Sequence, residues 1–172
     1  MISKVRYLIT RGHITKDDSV KALSKKYLQK AKNNLVTMRL LSEINLNKEA
    51  RDLLNLPTEY NADEWVVIAG YYAMYASALA LIAKIGFKSK NHTATLQLLD
   101  EFFVKKQILD QDTFLSLKKA VFQKEELEKI SEARHKREIA QYSVTKHTTK
   151  DIAESIKKEA YKFINKVEEI LE

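Results

Sequence analysis

Apolar residues recur every three or four positions along most of the chain, which is the spacing of one face of an α-helix. This pattern predicts amphipathic helices over 19–45, 93–105, 112–142 and 149–171. The first of these helices carries a lysine-rich face opposite its apolar stripe. Residues 1–16 are basic and show little periodicity, so we interpret them as a short helix or an added arm.

A further helix is predicted over residues 63–85, and it is apolar on nearly every side. Its stretch from Trp65 to Ala83 contains no charge and is about as long as a bilayer span. The stretch is rich in alanine and includes three tyrosines, with few of the large aliphatic residues that drive membrane insertion. We therefore expect a buried central helix in a soluble, cytoplasmic protein and no contact with a membrane.

Small residues line one face of this central helix, where they allow a second helix to approach closely. We expect this face to pack in the core of a bundle or against a second subunit, and the candidate core or dimer residues are the alanines Ala69, Ala73, Ala76 and Ala80 together with Tyr72. Tyr71, Tyr72 and Tyr75 could serve as platforms on which bases stack. On an otherwise apolar helix the alternative role, as core or interface residues, is the more common one.

Length and composition favour one all-α domain over residues 1–172, with 1–16 as a basic extension. One proline and three glycines argue against turn-dense β folds. An up-and-down bundle of about five helices is the economical packing. The chain has no cysteine and its four histidines lack metal-ligand spacing, so we expect no bound metal and no cofactor.

The net charge of +7 is unevenly distributed along the chain. Residues 1–62 and 84–106 carry most of the positive charge, which suits phosphate-bearing partners such as RNA or a nucleotide. Lys88, Lys90 and His92 precede the predicted helix at 93–105, where they could hold a phosphate. A basic surface loop, with His92 as a cap or packing residue, is the alternative.

The helix predicted over 112–142, the fourth in chain order, carries an arginine on its apolar stripe. Arg137 lies in the middle of this stripe, which consists of Ile130, Ala133, Arg137, Ala140 and Val144. An arginine on such a face needs an ion-pair partner or a functional cleft, because its desolvation costs free energy. Arg134 lies one turn earlier and His135 two residues before Arg137, and both are candidate binding residues, or members of a solvated basic turn.

Several of these segments together resemble the HEPN-domain proteins, in particular small stand-alone archaeal and bacterial members. The similar segments are KALSKKYLQKAKNNLVTMRLL, YYAMYASALALIAKIGFKSKNHTATLQLLDEFF and RHKREIAQY. The resemblance covers roughly residues 20–170. It implies a bundle of about five helices that dimerises through its long helices, and a link to RNA or nucleotides.

The resemblance also implies an activity and a partner. Many HEPN proteins are metal-independent ribonucleases that act as toxins and pair with a minimal nucleotidyltransferase antitoxin. Their nuclease motif is an arginine followed four to six residues later by a histidine. Arg137 matches the arginine, but Tyr142 stands where the histidine is expected. We thus take Arg137 and Tyr142 as the candidate catalytic residues.

Two hypotheses follow from these patterns. In the first, the chain binds RNA or a nucleotide and is a metal-independent ribonuclease of toxin type, in which His92 or His135 would replace the missing histidine if the fold brings it within reach. In the second, the chain is a non-catalytic dimeric module that docks a nucleotidyltransferase.

Overall fold

The structure is a computed structural model that describes residues 4–136 and 145–172, and the side chains of residues 4–127 and 150–172. Its α-helices within these ranges are α1 (Lys4–Thr10), α2 (Ser24–Leu46), α3 (Lys48–Leu53), α4 (Asp63–Lys84), α5 (His92–Leu99), α6 (Gln111–Lys136) and α7 (Thr145–Leu171). A 3₁₀ turn (Asp18–Leu23) leads into α2, and a π-helical turn (Asp100–Val104) extends α5. The predicted all-α bundle is confirmed.

The predicted helices correspond closely to the observed ones. The helix expected over 93–105 is α5 together with the π-helical turn that follows it. The helix expected over 112–142 is α6, and the last six residues of that prediction lie outside the described residues. Residues 1–16, interpreted as a short helix or an added arm, include α1 and a short strand.

Two short strands were not expected from the sequence. β1 (Ile14–Lys16) pairs antiparallel with β2 (Phe87–Ser89), and Thr15 lies opposite Lys88. The inward-facing Ile14 and Phe87 are buried. With only three residues each, the strands are too short to show a two-residue hydrophobic period. Their pairing joins segments more than 70 positions apart, so no local pattern announces it.

Helix α4 is the centre of the fold, with α2, α6 and α7 packed around it. It is long and apolar enough to cross a membrane by length and composition, but 78% of its most apolar 18-residue window is buried inside the fold. Among its alanines, Ala69, Ala73, Ala76 and Ala80 are all buried in a single copy of the chain. This burial is consistent with the core helix of a soluble protein.

The long helices pack very closely at Gly70 of α4. A Cβ atom built on Gly70 would lie 3.1 Å from the Sδ of Met38 in α2 and 3.3 Å from the Cγ1 of Ile156 in α7. These distances are shorter than ordinary van der Waals contacts, so a larger residue would push at least one neighbour away. Gly70 thus sets how closely the three long helices pack.

Polar side chains connect the end of α2 to the start of α4. Asn45 donates a hydrogen bond of 2.7 Å to the carboxylate of Asp63 and accepts one of 2.9 Å from the backbone N–H of Ala62. The guanidinium of Arg51 donates to the backbone carbonyls of the link before α4, namely those of Pro57, Thr58 and Tyr60. Arg51 thus binds three carbonyl groups of this irregular link and holds α3 against it.

Gly86 makes the sharp turn between α4 and β2. Its φ of +77° lies in the left-handed region, where a Cβ atom is unfavourable. A Cβ atom there would lie only 2.6 Å from the Oδ1 of Asp18. The carbonyl of Gly86 also accepts a hydrogen bond of 2.9 Å from the backbone N–H of Asp17. The turn therefore both ends α4 and holds the N-terminal segment against β2.

We expect Gly86→Ala to destabilise the protein more than Gly12→Ala does. Gly12 also has a positive φ, +69°, so each substitution should cost about 1–2 kcal/mol of backbone strain. Only the alanine at position 86 would additionally crowd Asp18, because the nearest atom to a Cβ at Gly12 is 4.0 Å away. Urea denaturation of both variants measures the difference, and equal decreases in the free energy of unfolding would contradict the crowding.

Candidate functional site

The segment that joins α4 to α5 brings Lys88, Lys90 and His92 to one side of the fold. Lys88 lies on β2 and Lys90 directly after it, and both side chains are exposed. Asn91 caps α5, because its side chain accepts a hydrogen bond of 2.9 Å from the backbone N–H of Ala94. His92 is therefore the first residue of α5.

His92 packs against two tyrosines of α4. Its ring centre is 4.7 Å from that of Tyr75 and 5.8 Å from that of Tyr71, both in edge-on geometry. The hydroxyl of Tyr71 lies 3.1 Å from the His92 Nδ1. Tyr71 is only 1% exposed, and the Nζ of Lys124 lies 5.5 Å from its ring centre. His92 is thus a packing residue that fixes α5 against α4.

A chain of hydroxyl groups continues from Tyr75. Thr95 donates to the backbone carbonyl of Asn91 at 3.2 Å, because a carbonyl can only accept. The Thr95 hydroxyl also forms hydrogen bonds with the hydroxyls of Tyr75 (3.0 Å) and Ser89 (2.6 Å). Burial raises the pKa of the Tyr75 phenol, which therefore stays protonated at neutral pH and able to donate.

A cavity of about 210 Å³ opens beside this hydroxyl chain. Its floor is apolar and includes Leu79 and Ile82 of α4. Tyr75 and the half-buried Tyr27 of α2 supply aromatic walls. The remaining polar lining comes from β2 and the residue after it, namely Lys88, Ser89 and Lys90. We call this space the tyrosine pocket.

The pairing of β1 with β2 also concentrates charge. Residues 11–30 and 87–99, which we call the basic region, hold eight Lys and Arg against two Asp, a net charge of +6. All eight basic side chains are exposed. The rest of the chain holds 22 Lys and Arg against 21 Asp and Glu, so it is almost neutral. Nearly all of the net charge of +7 therefore lies in one part of the fold.

The two acidic residues of the basic region are both engaged locally. Hydrogen bonds from the side chain and backbone N–H of Ser19 lower the pKa of Asp17, and nearby Lys88 lowers it further. A hydrogen bond and ion pair with Lys21, at 2.8 Å, lower the pKa of Asp18. Both carboxylates are therefore ionised at neutral pH, and they offset part of the positive charge without removing it.

The second group of predicted site residues lies at the end of α6 and beyond. Arg134 and His135 belong to the last turns of α6, but their side chains lie outside the described ones. Arg137 and Tyr142 lie outside the described residues altogether. Their candidate catalytic role stays a prediction from the sequence.

The residues assigned to a core or dimer helix differ in their exposure. The four alanines of that set are buried within one copy of the chain, whereas Tyr72 is 43% exposed. Trp65 lies seven residues earlier on α4, on the same face, and is 58% exposed. Two large aromatic residues of α4 are thus exposed on the same side of the helix as the buried Ala69 and Ala76.

Tyr27 is the residue of the pocket whose role the sequence did not reveal. Its position on the periodic apolar stripe of α2 indicates a core residue, yet it lines an open cavity. The lysine-rich link before α5 was the available signal for a ligand site. The sequence gives no sign of the strand pairing that places this link beside α2.

The profile of the HEPN domain matches residues 24–170, which is nearly the whole chain. The chain belongs to the HEPN-domain family. No curated protein and no solved structure is significantly similar to it. The HEPN match begins at the first residue of α2 and ends in the last turn of α7, so the N-terminal arm, α1 and β1, lies outside it.

HEPN membership indicates a function related to nucleotides or RNA. The described residues contain no group of three or more histidine, aspartate or glutamate side chains placed to hold a metal ion. What they do contain is a concentrated basic region and a pocket lined by tyrosines.

Proposed function

We propose that this HEPN protein binds RNA in the cytoplasm through its basic region. The observation that carries the proposal is the concentration of charge, because nearly all of the chain's net positive charge lies in two segments that the β1–β2 pair joins. A polyanion that contacts several lysines releases its condensed counterions, and this release drives binding. The lysines are exposed and mounted on regular elements, so they can contact successive phosphates.

Lysines of the first turns of α2 should contribute to this binding. We expect the combined variant Lys25→Ala, Lys26→Ala and Lys30→Ala to weaken binding of a single-stranded RNA. The slope of log affinity against log salt should fall by about 0.7 for each phosphate that the variant no longer neutralises. Fluorescence anisotropy at a series of salt concentrations measures both quantities.

The matched control removes three exposed lysines outside the basic region, Lys48, Lys158 and Lys162. Both triple variants change the net charge equally, so a general effect of charge would weaken binding in both. Equal reductions of affinity and of salt slope in the two variants would therefore contradict a localised RNA surface.

The proposal includes metal-independent cleavage of the bound RNA, of the kind found in toxins of this family. It is supported by the HEPN match and by Arg137 on the apolar stripe of the fourth predicted helix. In cleavage by the 2′-hydroxyl, a guanidinium can stabilise the negative charge that develops on the phosphorus-bound oxygens. Tyr142 stands five residues after Arg137 and would contact the same phosphate or the 2′-hydroxyl.

Cleavage is tested with purified protein, a mixed RNA pool and EDTA. We expect cleavage to survive chelation and Arg137→Ala to reduce its rate by about 10²–10³-fold, the usual cost of removing one donor to a developing oxyanion. Arg134→Ala serves as the control, since it removes the same charge one turn away. If both substitutions had the same effect, Arg137 would have no special role.

The alternative is a non-catalytic dimeric module that docks a minimal nucleotidyltransferase. It is favoured by the absence of a histidine four to seven residues after Arg137. Homodimerisation is common to both hypotheses, and the exposed aromatic face of α4, Trp65 and Tyr72, is a suitable surface for it. A protein inert towards RNA that binds such a partner tightly would establish this alternative.

The dimer surface can be tested by placing a charge on it. We expect Tyr72→Glu to raise the dimer dissociation constant by at least about tenfold, because a buried carboxylate would have no partner there. Leu53→Glu is the control, as Leu53 is 83% exposed and belongs to α3 and not to α4. Sedimentation equilibrium measures both constants, and a monomeric wild-type protein would contradict the proposed dimer.

A further inference from the structure

The tyrosine pocket has the composition of a site for a planar ring. At about 210 Å³ it is smaller than the about 300–1,000 Å³ typical of sites for drug-sized ligands. It can therefore enclose one ring system but not a dinucleotide or a lipid chain. Tyr27 and Tyr75 provide aromatic surface, and Leu79 and Ile82 provide an apolar floor. Rings of nucleobases bind such surfaces by stacking, whatever their sequence context.

The polar part of the pocket suits the edge of a base. The hydroxyls of Tyr75 and Ser89 each have one proton and two lone pairs, so each keeps acceptor capacity after its hydrogen bond with Thr95. Both residues line the pocket, which therefore offers hydrogen-bond acceptors to a ligand. A base that carries an exocyclic amine, such as adenine, presents N–H donors that match them.

The rim of the pocket suits a phosphate. Lys88 and Lys90 line the pocket and are exposed to solvent. Among the described residues that line the pocket, none is an aspartate or a glutamate. Asp17 is near Lys88 and accepts hydrogen bonds from Ser19, so it offsets part of the charge of Lys88 and leaves Lys90 as the second cation of the rim. An ammonium group beside an aromatic pocket can bind a phosphate attached to the enclosed base through its ribose.

From these observations we infer that the tyrosine pocket binds one nucleotide, with its base against Tyr27 and Tyr75 and its phosphate on Lys88 and Lys90. The nucleotide is either free or one unit of an RNA strand. In the second case the inference rests on the proposed RNA binding, and the pocket would select single-stranded RNA because a paired base cannot enter it. This site is separate in sequence from Arg137 and Tyr142.

Calorimetry with adenosine, adenosine 5′-monophosphate and inorganic phosphate tests the free nucleotide. We expect Tyr27→Leu to lower the affinity for adenosine 5′-monophosphate by about 5- to 150-fold, the equivalent of about 1–3 kcal/mol of stacking. Tyr27→Phe keeps the aromatic ring and should bind within about twofold of the wild type. Thermal denaturation of each variant shows whether it remains folded.

Two lysine variants test the phosphate. The double variant Lys88→Ala and Lys90→Ala should lower the affinity for adenosine 5′-monophosphate and leave the affinity for adenosine unchanged, because only the nucleotide carries a phosphate. Lys158→Ala, an exposed lysine of α7 outside the pocket, should leave both ligands unchanged. Binding of inorganic phosphate as tight as that of the nucleotide would overturn the role of the base.

A short oligoadenylate separates this inference from the proposed function. If the oligoadenylate binds the wild type and Tyr27→Leu equally, and the mononucleotide does not bind, the pocket site is wrong while RNA binding stands. If the mononucleotide binds with the expected variant pattern and the oligoadenylate does not bind, the pocket stands and RNA binding fails. If Tyr27→Leu binds both ligands more weakly than the wild type and Tyr27→Phe binds both as the wild type does, the two proposals are supported together.

Discussion

The close approach of α2 and α7 to the same point of α4 is the constraint on which the fold depends. Gly70 occupies that point, with Met38 on one side and Ile156 on the other, at distances that leave no space for a side chain. Because the flanking alanines of α4 are also buried, three long helices can pack at short interaxial distance and bury nearly every side of the central one. The basic region and the tyrosine pocket are mounted on this rigid core.

Charge and packing are divided between different parts of the chain. The chain outside the basic region is nearly neutral in sum, while the N-terminal segment and the α4–α5 link carry the excess of lysine. The β1–β2 pair unites these two segments and also forms one side of the pocket. The HEPN match begins after β1, so part of this surface lies outside the matched residues.

Much of the bundle could be predicted from sequence because helices leave a local periodic signature. The all-round apolar character of residues 63–85 correctly indicated a buried central helix. The β1–β2 pair could not be predicted, since it depends on a contact between distant segments of three residues each. Lys88, Lys90 and His92 could be singled out as a group, but the packing of His92 between tyrosines, and the pocket beside Tyr27, depend on that same pairing.

The pairing of β1 with β2 also has a consequence for how the protein folds and opens. Closing a loop of about 70 residues costs chain entropy, whereas the helices form mostly from contacts between near neighbours, so the pair should be completed late in folding. Two strands of three residues have little stability of their own. Local unfolding can therefore release the N-terminal arm while the helical core stays intact. A ligand that spans α2 and β2 would suppress that opening, and hydrogen exchange at β1 would then report occupancy of the pocket without any change in the core.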